Sequence, residues 1–427
     1  MKIVADPNIP FVREAFSALG EIQFVAGRQI NASAVRDADM LLVRSVASVN
    51  AALLDNSKVR FVATATIGTD HVDQAYLCER GIGFASADGS NANSVAEYVV
   101  TAMLEIAHRN QFRLRDKALG VVGVGNVGRR VVRHAEALGM RVLQNDPPRE
   151  RAEVGRDSVH DTRAGRRARR EGDGQPGGLS LPQFVSLERL LAEADIITLH
   201  VPLTRVGQAS SLPNFLPEDA TFHLFDTKRL AALALHAEGT QHEARRPILI
   251  NSARGAIVDN KALLEVIVTK KLSGVVLDVW EGEPNIKADL LAAVDLGTPH
   301  IAGYSFDGKL NGTRMIYWAA CEFFKLNAAW QPQLPPPPVP QMEVAAAPGE
   351  NDEDVLRRVI KHVYDITADD AALRRIVGAP DGIGASFDKL RAGYPVRREF
   401  FNTKLTLRGA WLRFQNKRRA GAVRFQQ

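Results

Sequence analysis

Cysteine is almost missing: the 427 residues include two, Cys78 and Cys321. That excludes a disulfide framework and any multi-cysteine zinc site, and no metal is expected. It suits a reducing cytosol. No apolar run approaches the ~20 residues needed to span a bilayer, which argues against a helical membrane protein. The opening MKIVADPNIP is too poor in apolar residues for a signal peptide. Aromatics make up only 7%. What is present is ordinary soluble composition, with 45% apolar and 24% charged residues. At roughly 150 residues per domain, the length suggests about three domains.

The net charge is +5, and much of the excess sits in RAGRRARR at 163–170. Glycine-rich sequence follows, up to Gly178. Such a stretch cannot bury a core and reads as a solvated loop. No aromatics interleave it and no nucleic-acid motif flanks it, so no nucleic-acid partner is expected.

Short apolar runs, MKIVAD, MLLVRS (40–45) and VRFVAT (59–64), read as buried strands of a parallel sheet. The pattern repeats more strongly over 117–305. A proline block, Pro332, Pro335 to Pro338 and Pro340, reads as a stiff linker. Beyond it, apolar residues at 355, 356, 359, 360, 363 and 364 mark one face of an amphipathic helix. There are no internal repeats.

The run KALGVVGVGNVGRRVVRHAEALGMRVLQNDPP is the most informative. It predicts a strand (119–124), a glycine turn GVGNVG (123–128), a helix ending near Gly139, a strand (141–145) and an acid, Asp146. Gly123 allows the tight turn, Gly125 lets backbone approach a pyrophosphate, and Gly128 lets helix pack on strand. Asn126 and Val127 form the phosphate-facing turn, and the helix N-terminus offers free N–H groups. Asp146 follows Gly128 by 18 residues, close to the ~20 expected for an acid on the adenine ribose. A carboxylate there would repel a 2′-phosphate, so NAD is favoured over NADP; Arg149, close by, argues the other way. Together these predict a Rossmann-type doubly wound parallel sheet.

Three later turns follow strand ends. ILINSARG carries Arg254 before a helix capped by Asp259 or Asn260. SGVVLDVWEGEP carries Asp278, Glu281 and Glu283, and TPHIAGYSFDG carries His300. In a doubly wound sheet ligands bind at the carboxyl ends of strands, so an arginine, a carboxylate and a histidine converge on one cleft. That set suits oxidation of a 2-hydroxy acid. A histidine removes the hydroxyl proton, a carboxylate holds the ring, and an arginine grips the substrate carboxylate. Each residue alone has a plainer reading, as a capped loop histidine, an ion-paired arginine or solvated loop acids.

NSARG at 251–255, LDVWEGEP at 277–284 and PHIAG at 299–303 resemble the D-isomer-specific 2-hydroxyacid dehydrogenases. LVRSV at 42–46, TATIGTDHVD at 64–73, NDPPR at 145–149, HIAGYSFDGKLNGT at 300–313 and FDKLRAGYPVRRE at 387–399 are similar to one branch of that family. That branch has an added C-terminal dimerisation domain. It oxidises a phosphorylated four-carbon 2-hydroxy acid with NAD on the route to pyridoxal phosphate.

The resemblance implies catalytic roles for Arg254, Glu283 and His300, with His300 transferring the proton. It implies cofactor contacts at Gly123, Gly125, Asn126, Val127, Gly128, Asp146, Asp278 and Gly303, and at Ser252, Ala253 and Arg254. Val201 stands where the family often has Thr, so its contact would be through backbone. Substrate positions are Ser45, Thr66 and Tyr304; Arg44 adds charge for a phosphate. His71 and His200 are expected to be structural.

The implied fold is α/β in three parts. A flavodoxin-like lid or substrate domain spans 1–93 and returns at 302–330, around a cofactor domain at 94–301. A linker at 331–341 leads to a small α+β domain at 342–427, through which a homodimer would form. Residues 150–180 and 205–247 read as added loop, and the last residues match no part of the family. A sibling acid dehydrogenase (phosphoglycerate or glyoxylate type) and a dinucleotide-sensing corepressor stay open as alternatives. A cytoplasmic enzyme without membrane partners is expected.

Overall fold

Continuous apolar runs become buried strands. In the computed structural model, residues 1–153, 184–206, 215–235 and 246–408 are described. The first five strands are β1 (Lys2–Ala5), β2 (Glu21–Phe24), β3 (Met40–Val43), β4 (Phe61–Thr64) and β5 (Gly83–Ser86). They form one parallel sheet in the order β2-β1-β3-β4-β5. MLLV and FVAT are buried throughout, as strands covered on both faces must be. This flavodoxin-like order places its switch point between β1 and β3, where Arg44 and Ser45 follow β3.

The second sheet is built from β6 (Ala118–Val122), β7 (Arg141–Asn145), β8 (Ile196–Leu199), β9 (Ile248–Asn251), β10 (Gly274–Leu277) and β11 (Leu296–Gly297). Its order is β11-β10-β9-β8-β6-β7, again parallel. A lone parallel bridge from Gln144 to Phe184 extends the β7 edge. The order therefore reverses between β6 and β8, beside the glycine turn.

Two long helices tie the halves together. Ala92–Arg109 is buried along most of its length and packs against the helix Gly128–Ala137. Phe306–Phe324 leaves the second sheet and returns to cover β4 and β5 of the first. Ser305 caps its start, its hydroxyl accepting from the Gly308 N–H at 2.8 Å.

The tail departs from the picture of a unit held on a free tether. Thr403 Oγ1 donates to the Val339 carbonyl at 2.7 Å, and Lys404 N to Pro340 at 2.9 Å, so the proline segment is pinned along its course. It leads into β12 (Gln341–Ala345), which pairs in parallel with β13 (Lys404–Arg408). The expected amphipathic helix forms at Asp352–Val363. Val355, Val359 and Ile360 on it are buried within this chain. Ile360, Tyr364, Ile366 and Phe400 join the core around the 92–109 helix. Leu373, Ile376 and Phe387 join the other face of the cofactor domain. The covered face of that helix is therefore not free to meet a second copy.

The stretch 205–247 is not all loop. Thr227–Leu235 is helical, and Leu230 and Leu233, one turn apart, are buried. The surrounding Ser, Pro, Asn and His content concealed that short apolar face. Residues 207–214 and 236–245 of the same stretch, the basic run 163–170 and the terminal 409–427 lie outside the described residues.

Candidate active site

Each site residue is fixed by its local turn. After β9, Asn251 staples the 251–254 turn: its Oδ1 accepts from Ala253 N at 3.1 Å and its Nδ2 donates to the Arg254 carbonyl at 2.9 Å. Asp259, not Asn260, caps the next helix, accepting from Lys261 and Ala262 N–H. The Arg254 side chain donates to the Ala253 carbonyl and reaches the opposite half, with Nε 3.9 Å from the Asp70 carboxylate. A Cβ built at Gly68 would stand 2.3 Å from Arg254 Nη2, so the guanidinium lies against that loop of the other half.

After β10, Asp278 is 1% exposed. It accepts from Thr298 Oγ1 (2.6 Å), Ile301 N (2.8 Å) and Ala302 N (2.9 Å). Burial raises its pKa, opposed by the nearby His300 charge and these bonds. Its carboxylate thus clamps the loop that carries His300. Glu281 is also committed to the scaffold, accepting from His223 Nε2 at 2.7 Å and Asn260 N at 2.9 Å.

His300 lies in the left-handed region at φ 56°, a conformation uncommon for a residue with a Cβ. Its backbone N–H bonds the Asp278 carbonyl at 2.7 Å, which holds it there. Its Nδ1 meets Glu283 Oε2 at 2.7 Å, while Glu283 Oε1 accepts from Trp280 N at 2.7 Å. Burial alone would raise the Glu283 pKa. The His300 charge and hydrogen bond and the Trp280 N–H outweigh it, and the net shift is downward. Glu283 is therefore an anion oriented on the imidazole. Both side chains stay partly open, at 32% and 21%.

The glycine turn has the geometry a pyrophosphate needs. Gly123 sits at φ 88°, and a Cβ there would stand 2.7 Å from the His200 carbonyl. A Cβ on Gly128 would lie 2.0 Å from the Gly123 carbonyl oxygen, whereas one on Gly125 would meet nothing within 4 Å. The turn is thus packed on two sides and open on the third. Val127 caps the following helix, and Asn126 is exposed beside it. Asp146 holds the turn by accepting from Val124 N at 2.7 Å. Arg149 bonds Val124 O and Glu153. Val201 packs its side chain on the turn. The Ser252 hydroxyl is buried without a protein partner among the described residues. Open space at Gly125 and an orphan hydroxyl at Ser252 both fit a bound dinucleotide.

Thr66 Oγ1 bonds Thr64 Oγ1 at 2.7 Å, which in turn meets His71 Nε2 at 3.1 Å. Burial lowers the His71 pKa, against Asp70. His200 contacts Thr198 Oγ1 at 3.0 Å, and burial pushes its pKa down to about 3. Neutral, internally bonded rings suit structural roles. Ser45 is exposed in the turn after β3. A Cβ on Gly303 would stand 1.9 Å from Asn91 Nδ2, so this loop lies against the start of the 92–109 helix.

Tyr304 meets Tyr394 edge-on at 6.0 Å. Lys309 Nζ and Arg391 Cζ lie 4.3 and 5.4 Å from its ring centroid. Neither cation was singled out from the sequence. Both lie inside motifs quoted above, at 300–313 and 387–399, but 82 residues apart; only the folded tail brings them together.

A separate concavity of about 680 Å³ opens at the tail seam, lined by the 352–363 helix and the end of the 92–109 helix. Its charges are largely compensated, as in Arg358–Glu350 at 3.0 Å and Arg113–Glu353 at 3.5 Å. It holds no counterpart of the oriented His–Glu pair and open glycine turn, so the cleft is the candidate site.

Comparison with known proteins places the chain in a family. Residues 92–167 and 169–302 match the D-isomer specific 2-hydroxyacid dehydrogenase NAD-binding domain, and 333–416 match a domain of unknown function, DUF3410. Erythronate-4-phosphate dehydrogenase of Serratia proteamaculans is 42% identical over 95% of both chains. That of Sodalis glossinidius is 44% identical over 94% of this chain and 93% of its own. Among solved structures, a Thermus thermophilus protein superposes with TM-score 0.55 at 26% identity, covering 75% of this chain and 94% of its own. D-lactate dehydrogenase from Aquifex aeolicus, complexed with NAD and lactic acid, gives 0.54 at 22%, covering 76% and 96%; it speaks for the fold.

Proposed function

Since the chain belongs to the erythronate-4-phosphate dehydrogenase family, a branch of the D-isomer-specific 2-hydroxyacid dehydrogenases, we propose that it oxidises 4-phospho-D-erythronate to 2-oxo-3-hydroxy-4-phosphobutanoate with NAD. The product feeds pyridoxine 5′-phosphate synthesis. The observation that carries this reading is the His300–Glu283 pair at 2.7 Å, in a chain that also holds an open glycine turn.

NAD, when bound, would supply the acceptor for the hydride that leaves C2 of the substrate. His300 Nδ1 is committed to Glu283, so Nε2 is left to take the C2 hydroxyl proton. Glu283 fixes the ring and stabilises the imidazolium that forms. Arg254 offers a planar fork to the substrate carboxylate. Gly123, Gly125, Asn126, Val127 and Gly128 cradle the pyrophosphate, and Asp146 takes the ribose hydroxyls. Ser252, Ala253, Val201, Asp278 and Gly303 line or brace the nicotinamide side. Ser45, Thr66 and Tyr304 face substrate.

Substrate residues 1–93 and 302–330 close over a cofactor unit at 94–301. The segments 331–341 and 342–427 serve as the connection and the pairing domain of a cytoplasmic homodimer. Pairing through the tail is supported by its two-stranded sheet, whose outer edges have no partner among the described residues, and by Phe401, 40% exposed next to β13. A light-scattering mass of one chain would overturn it. The test of activity is NADH formation with 4-phospho-D-erythronate against 3-phosphoglycerate; turnover favouring the second acid refutes the assignment.

A further inference from the structure

The buried cation Arg398, 3% exposed, is paired, donating to Asp307 at 2.9 Å. The cations around Tyr304 are not paired in this way. Lys309 and Arg391 share its ring, and Arg44 is close enough for its charge to act on Lys309. None of the three has a carboxylate within ion-pairing distance among the described residues. Arg391 Nε is buried without a hydrogen-bond partner. Burial, joined by the charges of Arg44, Arg397 and Arg391, pushes the Lys309 pKa down to about 8. Unpaired positive charge in a half-buried pocket is costly unless an anion completes it.

The three come from three parts of the fold. Arg44 follows β3, Lys309 is in the first turn and a half of the 306–324 helix, and Arg391 is near the end of the tail helix Ile383–Ala392. Tyr304 lies four residues from His300, and the Arg391 charge acts on Glu283. The pocket therefore adjoins the proton-transfer pair. The phosphate of the proposed substrate lies two carbons from its reacting carbon, the spacing that an anion seat beside this pair would serve.

We propose that Lys309 and Arg391, with the Tyr304 ring between them and Arg44 adding its charge, form the seat for the substrate's phosphate, so that the C-terminal tail supplies part of the substrate specificity. This rests on the activity proposed above for the identity of the acid. It does not rest on it for the anion.

The test uses the full chain saturated with NAD and titrates inorganic phosphate by calorimetry. Lys309→Met and Arg391→Met should each weaken phosphate binding about tenfold or more, as expected for losing one charged hydrogen-bond donor. Lys309→Arg and Arg391→Lys should keep most of the affinity. NAD affinity should stay unchanged and melting temperature should not fall in any of the four, which separates a lost ligand from a lost fold. With 4-phospho-D-erythronate, the methionine variants should raise KM far more than they lower kcat. The rise in KM should be far smaller with unphosphorylated D-erythronate than with the phosphorylated acid. If the parent binds phosphate but does not oxidise the phosphorylated acid, the activity falls and the seat stands. If it binds no phosphate, or folded methionine variants bind it as the parent does, the seat is overturned.

Discussion

At the residue scale, the proton-transfer assignment makes a sharp prediction. His300→Ala should cost on the order of 10²–10⁴ in kcat with NAD affinity nearly intact. Glu283→Gln removes the charge that stabilises the imidazolium formed on proton transfer, so kcat should fall with NAD affinity nearly intact. A His300→Ala enzyme with near-normal turnover would point to another base. A pair of alanines probes the glycine turn. Gly125→Ala meets open space, so it should fold normally while weakening NAD, because its methyl occupies the ligand's path. Gly128→Ala drives a methyl to 2.0 Å from a backbone carbonyl, which cannot yield as a side chain can, and should lower the melting temperature by several degrees. Equal melting temperatures for the two would contradict the packing described. Arg254, Glu283 and His300 were legible because each sits in a short motif after a strand. Lys309 and Arg391 were not, because a cation's meaning depends on which acids fail to reach it after folding.

Elements were legible where a single periodicity ruled. Strands 141–145 and 248–251 and the 352–363 helix fall where their patterns put them. The 227–235 helix did not, since its apolar stripe spans barely two turns. The tail's docking was also hidden, because an amphipathic face says that something covers it and not what. That docking buries Asp369, which accepts from Tyr394 Oη at 2.9 Å. Burial raises its pKa from 3.8 to about 6. The folded state therefore holds this proton more tightly than the unfolded chain. Its contribution to stability is full below about pH 4 and is lost as pH rises through about 6. Asp369→Asn keeps an acceptor without the charge. Its denaturant midpoint, relative to the parent, should be higher at pH 8 than at pH 4; the same difference at both would remove Asp369 from the account.

For the whole molecule, both parallel sheets followed from buried apolar runs and the glycine fingerprint. Their strand orders needed the structure, since sequence gives no neighbours across a crossover. The tail's relation to the rest was the largest departure. Ending the chain near residue 341 strips Ile360, Tyr364, Ile366 and Phe400 from the core of the cofactor domain. At roughly 1.5–3 kcal/mol for each buried apolar side chain, that loss rivals the stability of a typical domain. Such a truncation should give an unstable or insoluble product rather than a tidy monomer. A truncated chain melting at the parent temperature would contradict the shared core.

The two halves come close at Gly68. A methyl group there would stand 2.3 Å from the Arg254 guanidinium, and one at Gly89 would stand 2.8 Å from the Asn126 side chain. How far the jaws shut is thus gauged by two hydrogen atoms on one side. Any side chain added at 68 acts as a doorstop: either the halves stay ajar, or the arginine swings off the substrate's carboxylate. Enlarging that position is a way to hold the mouth open around a bulkier acid, at the expense of the grip that makes the reaction fast.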